Sequence, residues 1–134
     1  MEIQKTPITD YNAWLNRANY DLGASRLCSG KELFDISVFW AHDSAEKSLK
    51  AFLVFNSQEG DRVTHDLQKL TNQCVHFDDS FKTLLPFVEK INGWGKQVSY
   101  PDEIGYFHAN NEHCLTAIST AEKVYDFVKL KCTN

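Results

Sequence analysis

The stretch DISVFWAHDSAEKSLKAFLVFN, Asp35 to Asn56, limits the possible folds more than any other part of the chain. It contains neither Gly nor Pro and is long enough for several helical turns. Phe34, Val38, Ala41, Ala45, Ser48, Leu49 and Phe52 recur at helical spacing, and Phe39, Trp40, Leu53 and Phe55 widen the apolar stripe beyond one face. The spacing predicts a helix from about Leu33 to Asn56. Apolar on two sides, such a helix needs two partners: the domain's own core and a second subunit. Ser44, Ala45 and Ser48 are small, so a neighbouring helix can approach closely there. The same stretch carries His42, Asp43, Glu46, Lys47 and Lys50 near its middle, and Glu46 with Lys50 forms an i,i+4 pair in the favourable order.

Period-3.6 patterns recur elsewhere, while alternating β-branched runs are missing. A first helix opens near Thr9 or Asp10, turns Trp14, Leu15, Ala18, Leu22, Ser25, Leu27 and Cys28 inward, and closes with Gly30 just past its end. After a turn at Gly60, Thr64 caps a short helix with Leu67, Leu70 and Cys74 on one side. A fourth helix is capped around Asp78 to Ser80 and is kinked or divided at Pro86. The segment GWGKQVSYPDEIG reads as irregular, and a last helix runs from about Asn110 to Lys131. These elements predict an all-α, up-and-down helical bundle of about five helices, one domain over residues 1–134.

At 134 residues the chain can bury one core without metal or disulfide staples. Apolar residues at 43% and charged ones at 24% mark a globular chain. A net charge of −4 excludes a general nucleic-acid coat, leaving only a local basic patch from Lys47, Lys50, Lys90 and Lys96. The four cysteines form no Cys-x-x-Cys pair and follow no secretory leader, which predicts buried thiols in a cytoplasmic protein. No apolar run is long enough for a membrane span.

Three motifs in order carry more information. AHDSAEKSLKAFL (Ala41 to Leu53), THDL (Thr64 to Leu67) and SYPDE (Ser99 to Glu103) together resemble the HEPN domain family, the higher eukaryotes and prokaryotes nucleotide-binding domain. The segment from Ala18 to Lys47 is also similar to that family's first helix and turn, so the resemblance spans about Trp14 to Val128. It implies an all-α bundle that forms a homodimer, often encoded beside a minimal nucleotidyltransferase that it binds, and a possible nucleotide or RNA ligand. Under that resemblance Glu46, Lys47, Lys50, His65, Asp66 and Tyr100 are the candidate binding residues. Lysines would meet phosphate as point charges, and Trp40, Trp94 or Tyr100 would stack on a base.

The chain departs from the family's ribonucleases, which carry an Arg four to six residues before a His. His108 and His113 lie in the right region, but no Arg precedes them at that spacing, and Ser99 stands where Arg is common. Arg62 before His65 has the wrong spacing. His113 is therefore a weak catalytic candidate, needing a cation such as Lys96. A metal-independent ribonuclease toxin of a toxin–antitoxin pair is the alternative reading, and a non-binding scaffold a third. His42 is expected to hydrogen-bond Glu46, and His65 with Asp66 to brace a helix start. No spacing matches a known metal site, and no phosphate loop or nucleophile elbow is present, so neither metal nor cofactor is expected.

Overall fold

The computed structural model describes residues 10–56, 64–99 and 107–133. The expected features at Thr9, Gly60, Arg62 and Tyr100 to Gly105 lie outside those residues. Asp10 opens helix α1, Tyr11–Gly30, its carboxylate accepting the Asn12 N–H. One otherwise orphaned donor at the helix start is thereby satisfied. Gly30, expected beyond the helix, is its last residue, and the left-handed position falls on Glu32 at φ 60°. The reason is visible in the hydrogen bonds. Leu33 N–H donates to the Cys28 carbonyl at 2.8 Å and Glu32 N–H to that of Ser29 at 3.0 Å, the paired closure of a Schellman motif. Those bonds hold a non-glycine residue where glycine would be unstrained.

Helix α2, Phe34–Phe55, follows at once and becomes the centre of the bundle. It packs against α1, against α3 (Leu67–Val75), against α5 (Trp94–Ser99) and against α6 (Asn111–Lys131). Its small residues allow the close α1 crossing. Ser44 Oγ donates to the Ala18 carbonyl at 2.7 Å, Ser25 Oγ to that of Ser37 at 2.6 Å, and Ser37 Oγ to that of Ser25 at 2.8 Å. Val38, Ala41, Ala45, Leu49 and Ala51 are completely buried. Much of the apolar breadth of α2 is thus covered inside the protomer, while Phe39 and Trp40 are only partly buried. What stays exposed is Leu33 and Ile36, at 50% and 46%.

Helix α3 is capped by Asp66, which accepts the Lys69 N–H, rather than by Thr64, whose hydroxyl accepts the Asp66 N–H one step earlier. A 3₁₀ segment, Asp79–Leu84, runs directly into α4, Leu85–Ile91. Pro86 sits in the first turn of α4, where a missing N–H has no helical partner to lose, so it starts a helix instead of kinking one. Helix α5 lies where the sequence pattern was irregular. Phe81 joins the layers, its ring 4.3 Å from Phe52 and 4.9 Å from Phe127 between centroids. The result is the expected all-α bundle with one short helix added, and no strand among the described residues.

All four cysteines are free thiols, Cys74, Cys114 and Cys132 buried and Cys28 partly so. Burial raises the Cys74 thiol well above the usual range and the Cys132 thiol to about 11. No helix among the described residues is long and apolar enough to cross a membrane.

Candidate functional site

The polar edge of α2 holds two adjoining ion networks. In the first, Asp21 of α1 is 1% exposed and receives Arg17 Nε at 3.0 Å together with Lys47 Nζ. Lys47 also lies 3.7 Å from Asp43 Oδ2. Burial raises Asp43 above the usual carboxylate range, with Lys47 acting against that shift. In the second network Glu46, 5% exposed, accepts Lys50 Nζ at 2.8 Å on Oε2 and faces His65 Nδ1 at 2.9 Å on Oε1. Glu46 thereby joins α2 to the residue before the α3 cap. The lysines also lie near indoles, Lys47 Nζ 5.9 Å from the Trp40 ring centre and Lys50 Nζ 5.9 Å from that of Trp14.

Of the residues singled out in the sequence, Glu46, Lys50 and His65 come together directly, and Lys47 lies alongside in the Asp21 network. Asp66 makes its hydrogen bonds elsewhere. Its carboxylate accepts the Lys69 N–H and the Asn92 amide, bonds that hold it below the usual carboxylate range. Asn92 in turn accepts the Leu67 N–H at 2.9 Å, tying the α3 start to the end of α4. Tyr100 lies outside the described residues.

His42 does not pair with Glu46 by a hydrogen bond. Its ring is 5% exposed and lies flush against α5. A β-carbon at Gly95 would stand 3.0 Å from His42 Cγ and 3.2 Å from Cβ and Nδ1. Burial pushes the His42 imidazole down to about 4, with Glu46 opposing, so the ring is neutral at ordinary pH.

His113 occupies the third position of α6. Its Nδ1 accepts the Asn110 N–H at 2.9 Å while its own N–H donates to Asn110 Oδ1 at 3.0 Å, a reciprocal capping box. The ring also lies edge-on to Trp94 and Phe107, both at 5.2 Å between centroids. Arg17 is paired with Asp21 and Arg26 with Glu122.

Beside the ion networks, at the start of α2, a cavity of about 830 Å³ opens between α2, α5 and the residues before α6. Its walls include Leu33, Phe34, Ile36, Phe39 and Trp40. Glu32, Asp35 and His108 supply polar edges. Asp35 fixes this wall by accepting the Ala109 N–H at 2.7 Å. Neither the cavity nor Asp21 stood out in the sequence. A signal for Asp21 was present: it lies three residues after Ala18 and four before Ser25, within the buried stripe of α1.

Two solved structures share this architecture. One, an archaeal HEPN homologue, ST0689, is 19% identical with a TM-score of 0.73. The other, TT1696 from Thermus thermophilus, is 20% identical with a TM-score of 0.82. Each alignment covers 92% of this chain and 98% of the other, and at such identity the likeness concerns the fold. No curated protein matches the chain. Residues 11–131 match the HEPN domain family, from the first residue of α1 to the last of α6. The chain is a member of the HEPN domain family.

Proposed function

We propose that this chain is a non-catalytic HEPN subunit, a homodimer that engages a minimal nucleotidyltransferase. The observation that carries the reading is the contrast between the two surfaces at α2. Lys47 and Lys50, the cations expected to meet phosphate, are already matched by Asp21, Asp43 and Glu46. A phosphate would have to displace those carboxylates and leave them buried without their partners, which is costly. The neighbouring groove offers Leu33, Ile36, Phe39 and Trp40 with acidic edges at Glu32 and Asp35. That chemistry suits an apolar or basic protein surface better than a phosphate. The ribonuclease reading is weaker because His113 uses Nδ1 within a capping box, and both described arginines, Arg17 and Arg26 of α1, are paired, with Asp21 of α1 and Glu122 of α6.

Light scattering on the purified chain and co-purification with a co-expressed minimal nucleotidyltransferase test the proposal. A dimer that also retains that enzyme is expected. Leu33→Glu with Ile36→Glu weakens one or both contacts while helix content, read by circular dichroism, is kept. Growth arrest and RNA cleavage on expressing the chain alone, both abolished by His113→Ala, would replace this reading by the nuclease one. Calorimetric binding of ATP, AMP or RNA that is lost in Lys47→Ala would instead return the phosphate site to α2.

A further inference from the structure

The groove at the start of α2 carries charge of one sign only. Its aromatic wall is Phe34, Phe39 and Trp40, the last two edge to face at 5.2 Å between ring centres. Leu33 and Ile36, both half-exposed, stand on it. A volume of about 830 Å³ is that of clefts enclosing a drug-sized molecule, which is room for several side chains. Glu32 and Asp35 edge it, and no lysine or arginine lines it among the described residues.

We propose that this groove receives an apolar segment flanked by lysine or arginine from a partner protein, rather than a second copy of this chain. On the function proposed above, which this assignment deepens and on which the partner's identity rests, that protein is the minimal nucleotidyltransferase.

The first support is Glu32. It occupies the left-handed region at φ 60°, where glycine would be unstrained, so the turn keeps a carboxylate on the edge of the groove at a cost in backbone strain. The residue is exposed, and among the described residues no ion pair reaches it. The carboxylates of the neighbouring networks, Asp21, Asp43 and Glu46, all face lysines. The second support is Asp35. The Ala109 N–H holds one of its oxygens at 2.7 Å, and His108 Nδ1 lies 3.6 Å from the other. Asp35 is thereby fixed in place, and it contributes negative potential to the groove rather than a vacant acceptor.

The third support is the poor match of this patch to itself. A two-fold contact sets a surface against its own copy. The acidic edges would then meet a patch whose one basic side chain among the described residues is His108. Like charges juxtaposed in this way oppose association. A segment bearing lysine or arginine meets the same edges with opposite charge, and its apolar residues cover Leu33, Ile36 and Trp40.

The probes are a short peptide of leucine and lysine with the leucines at helical spacing, its leucine–glutamate counterpart, and a lysine oligomer of equal charge. Each is titrated into the full chain and followed by the methyl NMR signals of Leu33 and Ile36. Saturable binding of the leucine–lysine peptide alone, with shifts at both residues, is the expected result. Glu32→Gln, at an exposed position, weakens it about two- to fivefold, the range of one exposed ion pair. Ile36→Ser weakens it about fivefold or more through lost apolar burial. Asp126→Asn, on an exposed residue of α6 that does not line the groove, removes the same charge and leaves affinity unchanged. Equal binding of either control probe, or equal affinity in Glu32→Gln and the parent, overturns the assignment.

Co-purification separates this assignment from the proposed function. If the parent retains the co-expressed nucleotidyltransferase and the Glu32→Lys, Ile36→Ser double variant retains it equally, the groove assignment falls and the proposed function stands. If the parent retains none, the proposed function falls and the peptide titration decides the groove. A dimer in light scattering that becomes a monomer in the double variant gives the groove to a second copy and overturns the assignment.

Discussion

Gly95→Ala is the substitution that most directly tests how α5 is seated on α2. The new methyl would lie 3.0 Å from His42 Cγ, 3.2 Å from Cβ and 3.2 Å from Nδ1. These atoms are the root of the imidazole, so the ring cannot step aside by bending a flexible tip. Either χ1 of His42 changes inside a closed space, or α5 lifts from α2. Overpacking of this kind costs about 1–3 kcal/mol. Replacing Gly by Ala in a helix returns up to about 1 kcal/mol, less in a helix as short as Trp94–Ser99. The net expectation is a loss of about 1–2 kcal/mol, an estimate that takes both effects together. Urea unfolding followed by tryptophan fluorescence measures it, and a cycle with His42→Ala isolates the contact. In the His42→Ala background the Cγ and Nδ1 contacts are gone and only the 3.2 Å approach to Cβ remains, so Gly95→Ala costs less than in the parent, giving a coupling of about 0.5 kcal/mol or more. A Gly95→Ala protein as stable as the parent, or a coupling near zero, would refute the steric reasoning.

Three further outcomes follow from other parts of the fold. Glu32→Gly relieves a left-handed residue worth about 1–2 kcal/mol against a glycine entropy cost of about 0.5–1 kcal/mol, so chemical denaturation should show a small net stabilisation at this position of φ 60°. Asp66→Asn weakens the α3 cap by about 1 kcal/mol or less. It also removes a carboxylate whose folded-state pKa is depressed. Such a group adds stability above its unfolded pKa of about 3.9 that disappears as pH falls through the lower folded value, so denaturation midpoints of the parent should drop more steeply than those of the variant below about pH 4. Brief alkylation of the native protein, read by mass spectrometry, should label Cys28 and spare Cys74, Cys114 and Cys132 until denaturant is added.

The helices themselves were written in local chemistry. Apolar spacing identified α1, α2, α3 and α6, and Asp10, Asp78 and Asn110 supplied side-chain caps that depend only on near neighbours. The order of AHDSAEKSLKAFL, THDL and SYPDE made the family legible, because helix and turn motifs recur along the chain in a fixed sequence. Where local rules competed with packing, packing won. Gly30 yielded the left-handed position to Glu32 because α2 begins immediately afterwards and its Leu33 N–H completes the turn. Helix α5 formed in a segment without periodicity because Gly95 lets it rest on His42.

The chain alone determined an all-α bundle of one family and marked the α2 edge as its most charged feature, since both follow from short-range spacing. Only the tertiary structure decided which charges meet. Asp21 reaches Lys47 across α1 and α2, His65 reaches Glu46 from the segment before α3, and His113 is claimed by its own cap. Partners distant in sequence are brought together by the burial of apolar faces, and no local pattern encodes where a carboxylate on one helix comes to rest against an ammonium on another.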